Sequence, residues 1–296
     1  MSHSLTKYVG SKCWLVENHG GRLPMPVAGG AVALPFVGGG SLAAEYARRG
    51  CRVIASDINA RLVNAHVAVR DGVEDVISRL SGWVNAWRAA LRRVPEAEHD
   101  EEGRLFFERV RDRVDEGESA ERAASLLFVL RAGFNGLLRT NAAGALNAAY
   151  GKPELTRDLV GAEKLRAYAA AIQGVAFFHE DFAVTCARAR SGWVSVLDPP
   201  YQGTFDGYAG GDWDAAQETL PGLGPVNDRV RLARMLDYLD AIGVRFGLSD
   251  SDNRVTRSLY RRWGTNTHVL YRSGTVNSDG DDRGWVPELY LTNWRP

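Results

Sequence analysis

The feature that most constrains this chain is a short apolar run that ends in an acid, two prolines and a tyrosine. Residues 194–197 have the composition of a buried strand, and Asp198-Pro199-Pro200-Tyr201 follows directly. Proline donates no hydrogen bond to a sheet and forces the preceding residue into an extended conformation, so the strand must end at Asp198. We therefore expect the carboxylate at the carboxyl end of a strand, where open α/β sheets bind ligands. The alternative is a strand with a Pro-Pro turn whose acid has no function.

A βαβ unit is predicted near the start of the chain. Residues 31–37 and 52–56 are apolar runs typical of parallel strands, and residues 42–49 between them have the pattern of an amphipathic helix. The first strand runs into Gly38-Gly39-Gly40-Ser41, where glycine permits a tight turn and the close approach of a ligand. The second strand runs into Asp57. An acid about 20 residues after such a turn is suited to ribose hydroxyls; alternatively, Asp57 caps the following helix.

The remaining pattern separates an α/β part from a helical middle. Residues 60–132 are rich in Arg, Glu and Ala and mostly amphipathic. Further strands are predicted at 175–178, 244–249, 268–272 and 289–293, helices at 158–173, 228–242 and 256–263, and loops at 202–226 and 273–284. We expect a Rossmann-like α/β sheet built from residues 1–59 and 174–296, with residues 60–173 as a helical insertion.

Composition narrows the class of protein. The three cysteines are scattered, so neither a disulfide scaffold nor a zinc site is expected, and the chain suits a reducing cytoplasm. There is no apolar run of about 18 residues and no apolar leader after Lys7 and Lys12, so we expect no membrane span and no signal peptide. With 36 basic and 36 acidic residues, net charge does not indicate a nucleic-acid partner. A local patch is predicted instead, because the segment from Arg131 to Lys152 contains three cations and no acid.

The glycine turn and Asp57 together predict a site for a nucleoside cofactor, either NAD or S-adenosylmethionine. A hydride-transferring enzyme has no use for Asp198-Pro199-Pro200-Tyr201, whereas a methyltransferase that acts on an exocyclic amine uses each residue. A carboxylate and a rigid backbone carbonyl can accept both N–H groups of the amine and localise its lone pair, and a tyrosine can stack on the base. The base must first be turned out of a duplex to reach such a site.

The chain resembles the Dam-type DNA adenine-N6 methyltransferases, of the D12 class with the α order of motifs, in five blocks that span most of its length. The blocks are residues 7–12, KYVGSK, similar to K-W-x-G-G-K; residues 35–41, PFVGGGS, similar to P-F-x-G-x-G-S; residues 57–59, DIN; residues 134–141 with 144–152, similar to F/Y-N-G-L-x-R-x-N…G-x-F-N-x-P-x-G-[KR]; and residues 198–201, DPPY. The fourth block discriminates best, because a generic Rossmann fold does not supply it.

The resemblance implies a double-stranded DNA substrate, S-adenosylmethionine as methyl donor and no metal. The implied cofactor-binding residues are Tyr8, Lys12, Phe36, Gly38, Gly40, Asp57, Asp181 and Phe182. The implied catalytic residues are Asp198, Pro199, Pro200 and Tyr201. The implied DNA-binding residues are Phe134, Asn135, Arg139, Asn141 and Lys152. Arg139 is the candidate for reading a guanine. Considered alone, an arginine at this position could equally contact a phosphate. Phe134 is a candidate wedge in the base stack or, alternatively, a core residue.

Three departures from the family pattern qualify these implications. Leu34 stands where the family has an acid before Pro-Phe, Tyr8 replaces the commoner tryptophan, and Ala148-Ala149-Tyr150 replaces a stretch that contains proline. We expect methylation of adenine N6 at GATC or a variant, by a monomer or weak dimer. We expect the protein in the cytoplasm, associated with the nucleoid through DNA, and its gene on a phage or mobile element or in the host genome. The alternatives are methylation of cytosine N4 or of an RNA base, and a catalytically silent DNA-binding relative.

Overall fold

The computed structural model describes residues 4–6, 12–141, 143–201, 216–220, 224–273 and 285–295. The strands are β1 Ala31–Leu34, β2 Arg52–Asp57, β3 Val175–His179, β4 Val194–Leu197, β5 Ala216–Leu220, β6 Gly224–Asn227, β7 Arg245–Ser251, β8 Thr267–Ser273 and β9 Trp285–Thr292. The α-helices are α1 Cys13–His19, α2 Ser41–Arg48, α3 Ala60–Leu91, α4 His99–Asp112, α5 Ser119–Ala132, α6 Ala162–Ala171, α7 Phe182–Arg188, α8 Asp228–Ala241 and α9 Arg254–Leu259. Short 3₁₀ helices span Gly20–Arg22, Glu96–Glu98, Phe134–Gly136 and Arg261–Asn266.

Seven strands form one sheet in the order β3-β2-β1-β4-β7-β9-β8. The first five strands of that order are parallel, whereas β9 is antiparallel to both β7 and β8. The order of the parallel strands reverses between β1 and β4, so the crevice above their carboxyl ends is the expected ligand site of a doubly wound sheet. The predicted Rossmann-like α/β fold is confirmed.

The helical middle of the chain shares its apolar core with the sheet. One buried cluster joins Val32 and Leu34 of β1 to Trp87 of α3 and Phe128 of α5. Helix α3 departs from helical geometry at Gly72 (φ −154°, ψ 55°). Helix α3 packs on β2 and β3, along α5 and against α6, and α6 packs against α2. The division of the chain at residues 60 and 173 stays a prediction.

The structure differs from the predicted elements where backbone chemistry overrides an apolar pattern. Strand β1 ends at Leu34 rather than at residue 37, because Pro35 has no N–H to donate to the sheet. The region 202–226, predicted as a loop, contains the antiparallel pair β5 and β6. The helix predicted at 256–263 begins earlier, at Arg254, because the side chain of Asn253 accepts the Thr256 N–H at 2.8 Å and caps it.

Candidate active site at the carboxyl edge of the sheet

The glycine turn, Asp57 and Asp198 meet at the carboxyl edge of three neighbouring strands. The turn follows β1, Asp57 ends β2, and Asp198 follows β4. Because β1 pairs in parallel with both β2 and β4, the three carboxyl ends open on the same side of the sheet. Segments that are far apart in sequence thus form one edge, as the pattern of strands and acids predicts.

The glycine turn and Asp57 bind each other directly. Gly38 and Gly40 have φ values of 48° and 79°, in the region that favours glycine. The Gly38 N–H donates to Asp57 Oδ2 at 3.0 Å, and the Asn59 N–H donates to Asp57 Oδ1 at 3.0 Å. Burial raises the pKa of Asp57, and these backbone donors oppose that rise. The carboxylate therefore lies against the turn, and each of its oxygens can still accept a hydroxyl donor.

Asp57 does not cap the following helix. The cap of α3 is Asn59, whose side-chain oxygen accepts the Arg61 N–H at 3.0 Å and the Leu62 N–H at 3.4 Å. The alternative interpretation of Asp57 as a helix cap is wrong. Its carboxylate accepts instead from the Gly38 and Asn59 N–H groups, and a separate residue satisfies the first backbone donors of the helix.

Two aromatic rings lie next to the glycine turn. Phe36 and Phe182 are stacked, with ring centroids 5.4 Å apart and planes at 25°. The Arg231 guanidinium lies 4.9 Å from the Phe182 ring centroid and donates to Asp181 Oδ1 at 2.9 Å. Asp181 also accepts the Ala183 N–H at 2.8 Å, as the cap of α7. The edge beyond Asp57 thus carries a stacked pair of rings, of which Phe182 is buried, next to the carboxylate of Asp181.

Asp198 lies in a cluster of buried polar side chains. Lys12 Nζ is 2.7 Å from Asp198 Oδ1 and 3.3 Å from Glu288 Oε1. The Tyr201 hydroxyl is 2.6 Å from Glu288 Oε1, to which it donates, and 3.3 Å from Asp198 Oδ1. The side chains of Lys12 and Glu288 are each 2% exposed and that of Asp198 is 19% exposed. Lys12, predicted at the cofactor, thus lies on the predicted catalytic carboxylate.

The surroundings of Asp198 move its pKa toward neutral pH. Burial raises the pKa of Asp198 to about 6; Lys12 opposes that rise and Glu288 adds to it. Burial lowers the pKa of the Lys12 ammonium, but the attraction of Asp198 and Glu288 outweighs burial and raises it overall. Lys12 is therefore charged at neutral pH and stabilises the ionised form of Asp198.

A second buried ion pair contacts the backbone at Pro199-Pro200, where the chain leaves β4. Arg229 Nη1 is 3.4 Å from Asp250 Oδ2, and Arg229 Nη2 donates to the Pro200 carbonyl at 3.4 Å. Burial raises the pKa of Asp250 to about 6, while Arg229 opposes that rise. Pro199 and Pro200 are thus held both by their own rings and by a cation from α8.

Sequence reasoning missed Glu288, Asp250 and Arg229. Glu288 is directly opposite Ser251 in the antiparallel pairing of β9 with β7, which carries it to the carboxyl edge of the parallel strands. A charged residue within an otherwise apolar strand was the available signal, since such a residue is seldom buried without a partner. Its partners lie elsewhere in the chain and only the fold reveals them.

The predicted recognition segment, residues 134–152, is held by the insertion helices. Residues 139–147 turn back on themselves, with Thr140 bridged to Leu146 and the Asn147 N–H donating to the Arg139 carbonyl at 2.8 Å. The Asn141 side-chain oxygen accepts the N–H groups of Ala143 at 3.0 Å and Ala145 at 3.1 Å, so this predicted DNA-binding residue also shapes the turn.

The ends of this segment show which of its side chains face outward. Phe134 is 52% exposed, so the alternative that it belongs to the core is wrong. Asn135 has φ 56°, a left-handed conformation that begins the turn away from α5. Arg139 is exposed, and Lys152 forms an ion pair with Asp100 of α4.

The predicted basic patch loses one of its three cations. Arg131 points into the protein, where its guanidinium donates to the carbonyls of Leu159 (3.1 Å), Val160 and Leu5 (3.1 Å). Burial lowers the pKa of Arg131 to about 10. The charges of α4 pair largely with one another, as Arg104 does with Glu101 and Glu108, which is typical of a solvated helical face.

Three expectations remain, which concern Tyr8, a metal site and a membrane span. Tyr8 lies outside the described residues. Within the ranges that the structure describes, no group of three or more His, Cys, Asp or Glu side chains is arranged to hold a metal ion. Among the described helices, none is both long and apolar enough to cross a bilayer.

The chain is similar over nearly its whole length to a known family of enzymes. The sequence model described as D12 class N6 adenine-specific DNA methyltransferase matches residues 8–276. The type II methyltransferase M1.LlaDCHI of Lactococcus lactis subsp. cremoris is 27% identical over 98% of this chain and 94% of its own length. The DNA adenine methylase of Escherichia coli strain K12 is 27% identical over 100% of this chain and 96% of its own, and that of Vibrio cholerae O395 is 27% identical over 96% and 93%.

Proposed function

Since this chain belongs to the D12 class of N6 adenine-specific DNA methyltransferases, we propose that it takes the methyl group from S-adenosylmethionine and that Asp198 holds the adenine that receives it. Methylation of adenine N6 in DNA is the activity of the family. For this chain we propose the cofactor, the roles of the site residues and the target sequence. One observation carries it: Asp198 Oδ1 already accepts a nitrogen donor, the Lys12 ammonium, at 2.7 Å.

The residues around the glycine turn fit S-adenosylmethionine. Gly40 has φ 79°, and a Cβ there would lie 1.9 Å from the Tyr168 hydroxyl, so both the conformation of the turn and its packing require glycine. Asp57 would accept the ribose hydroxyls, and Phe36 with Phe182 would lie along the adenine ring. When bound, the cofactor supplies an electrophilic methyl group. The other predicted contacts, Lys12 and Asp181, border the same edge.

The chemistry of Asp198 follows from what a carboxylate does to an aromatic amine. The lone pair of adenine N6 is delocalised into the ring and is a poor nucleophile. If Asp198 and the Pro199 carbonyl each accept one N–H, the nitrogen becomes more tetrahedral and its lone pair turns toward the incoming methyl group. The nitrogen would bond to the methyl carbon as the carbon–sulfur bond of the cofactor breaks in line with it, and would then release one proton to solvent. Tyr201 would stack on the base, with its ring oriented by the hydrogen bond from its hydroxyl to Glu288.

The target adenine must leave the double helix to reach Asp198, because the carboxylate lies in the crevice of the sheet edge with only 19% of its side chain exposed. We assign residues 60–173 to DNA recognition. Phe134 would fill the gap in the base stack, and Arg139 would donate to a guanine in the major groove. Asn135, Asn141 and Lys152 would shape the segment or bind the backbone. The proposed target is GATC or a variant, on the strength of the resemblance in this segment to Dam-type enzymes.

The decisive experiment measures transfer of a labelled methyl group to synthetic duplexes. Duplexes that carry adenine or cytosine as the single methylatable base distinguish N6 of adenine from N4 of cytosine. Asp198→Ala should lower transfer by at least about 10²-fold, the usual loss when one group that stabilises the transition state is removed. Unchanged transfer would rule out the proposed role of Asp198. If calorimetry detects no binding of S-adenosylmethionine to the wild-type protein, the cofactor assignment fails as well.

The target sequence is best read from methylated DNA. Sequencing methylated adenines in the DNA of cells that express this chain would give the site directly. Methylation at GATC or a single-position variant is expected. Methylation without a common sequence, or at an unrelated one, would contradict the proposal without affecting the assignment of the chemistry.

A further inference from the structure

The carbonyl side of the glycine turn is held by two side chains from the helical insertion. His66, on α3, has Nε2 2.8 Å from the Gly38 carbonyl oxygen and Nδ1 2.9 Å from the hydroxyl of Tyr168, on α6. Both side chains are fully buried. Neither residue belongs to a block that resembles the methyltransferase family.

The hydrogen bonds determine the protonation of His66. A carbonyl oxygen only accepts, so Nε2 must carry a hydrogen and donate to Gly38. Burial lowers the pKa of His66 to about 4, so the ring is neutral at physiological pH and Nδ1 has no hydrogen. Nδ1 therefore accepts from the Tyr168 hydroxyl. Tyr168 selects the one tautomer that can hold the turn.

Packing leaves the ring of His66 little freedom to move. It stacks on Phe177 of β3 with centroids 5.0 Å apart and planes at 7°. A Cβ at Gly40 would lie 1.9 Å from the Tyr168 hydroxyl and 2.9 Å from His66 Cε1, so the pair packs directly on the turn. Gly38 is thus held at both of its polar groups, with its N–H on Asp57 at 3.0 Å and its carbonyl on His66.

A second contact joins the turn to the insertion. The Leu5 N–H donates to the Gly39 carbonyl at 3.0 Å, and the Leu5 carbonyl accepts from Arg131 at 3.1 Å. Arg131 lies in the last turn of α5, shortly before the predicted recognition segment, residues 134–152. Two successive carbonyls of the turn, those of Gly38 and Gly39, are therefore both held by groups that the insertion supplies or anchors.

We propose that His66 and Tyr168 are positioning residues of the cofactor site, and that the helical insertion sets the affinity of the glycine turn for the cofactor. The inference rests on the proposed function, since it takes the turn as the place where S-adenosylmethionine binds. The Gly38 carbonyl and N–H belong to the two peptide units that meet at its Cα, so holding the carbonyl restricts rotation at Gly38 and keeps the N–H directed at Asp57, the carboxylate that would bind the ribose. A purely structural role would affect the stability of the protein but not the affinity of the turn.

The test is the dissociation constant of S-adenosylhomocysteine, which resembles the cofactor but transfers no methyl group, measured by calorimetry without DNA. His66→Phe keeps an aromatic ring but removes the donor to Gly38, and Tyr168→Phe removes one oxygen atom. Each should raise the dissociation constant about tenfold, the usual effect of losing one buried hydrogen bond. His66→Gln restores a nitrogen donor and should recover most of the affinity. In methyl transfer, the KM for S-adenosylmethionine should rise while kcat stays within about twofold.

Trp87→Phe is the matched control. Trp87 is also buried on α3, beyond the kink, and its indole N–H donates to the Tyr150 hydroxyl at 3.3 Å. Its loss should lower the melting temperature but leave the dissociation constant unchanged. If His66→Phe does not fold, Tyr168→Phe decides the question alone.

The outcomes separate this inference from the proposed function. If the wild-type protein binds the ligand, and Tyr168→Phe and every folded His66 variant bind it equally well, the inference is wrong and the proposed function stands. If Trp87→Phe weakens binding as much as Tyr168→Phe does, the effect is general loss of stability and the inference is also wrong. If the wild-type protein does not bind the ligand, the cofactor assignment itself is wrong.

Discussion

Lys12 Nζ lies 2.7 Å from Asp198 Oδ1, with Glu288 as its second carboxylate partner at 3.3 Å. The ammonium donates to the oxygen that, in the proposed function, receives an N–H of the target adenine. Lys12 is also 5.0 Å from the centroid of the Tyr201 ring, where the base would stack. We infer that Lys12 moves toward Glu288 or shares Asp198 when a base enters, and the first three predictions below depend on these contacts.

Lys12→Met should shift the acidic limb of the pH profile of kcat/KM for DNA methylation to higher pH. Asp198 must be ionised to accept from the amine, so activity falls as pH decreases through its pKa, about 6 in the wild-type protein. Lys12 lowers that pKa, so its removal raises it. Lys12→Arg, which keeps the charge, is the control and should leave the limb near its wild-type position. A limb that does not move in Lys12→Met would show that Lys12 is not coupled to Asp198.

Glu288→Gln should move the same limb in the opposite direction. The Glu288 carboxylate raises the pKa of Asp198, so a neutral amide should allow Asp198 to stay ionised at lower pH. The glutamine oxygen can still accept from the Tyr201 hydroxyl, so the ring keeps its support. Because Glu288 is also a partner of Lys12, we expect kcat to fall severalfold at pH 8. The prediction fails if the limb moves to higher pH or stays where it is.

Asp198→Asn should stabilise the ligand-free protein at neutral pH while abolishing methyl transfer. Asparagine resembles the protonated acid, and the folded state raises the pKa of Asp198 from 3.8 to about 6. A carboxyl whose pKa is raised by folding stabilises the protein below pH 3.8 and loses that contribution as pH rises through 6. The wild-type protein therefore carries a cost at pH 7.5, of at most about 3 kcal/mol, that the variant avoids.

The measurement for Asp198→Asn is the free energy of unfolding by urea, for both proteins, at pH 7.5 and at pH 4. The difference should favour the variant at pH 7.5 and shrink toward zero at pH 4. A variant that is equally or less stable at pH 7.5 would mean that the Lys12 contact outweighs the burial of the charge.

Arg139→Ala should relax sequence preference rather than weaken all binding equally. Loss of an arginine that binds a guanine typically costs about 1–3 kcal/mol at one position of the site. Methylation rates on duplexes with each base at each position would show a flattened preference at a single position. Asn141→Ala is the comparison, because it removes the acceptor that holds the turn through Ala143 and Ala145. We expect Asn141→Ala to slow methylation of all sequences alike. If Arg139→Ala does the same, Arg139 binds phosphate and sequence is read elsewhere.

Much of the fold was predictable because short-range chemistry decides it. Pro199 ends β4 and Pro35 ends β1 whatever surrounds them, since neither ring has an N–H to donate. The apolar runs at β2 and β4 predict parallel strands, and parallel strands place Asp57 and Asp198 at one edge. The region of β5 and β6 was not predictable in this way, because its Gly-rich composition has no clear alternation of apolar and polar residues.

Residue roles were predictable only where a motif is contiguous. Arg131 is predicted as part of a basic patch, but it turns inward because three backbone carbonyls there need a donor. The local sequence does not indicate this inward direction, since an arginine in the last turn of a helix can equally face solvent. Phe134 is the reverse case. Its aromatic side chain is compatible with the core as well as with DNA contact, but beside the left-handed turn at Asn135 it is exposed.

The sequence by itself determined the α/β fold, the glycine turn and the position of Asp198 at a strand exit, because proline, glycine and apolar periodicity act over a few residues. Tertiary structure alone decided what surrounds that acid. Glu288 reaches Tyr201 across 87 residues through the register of an antiparallel strand, and Tyr168 reaches His66 across 102 residues through the packing of two helices. The physical reason is burial: a charge or an imidazole without water must find its partners in space, and spacing along the chain does not reveal them.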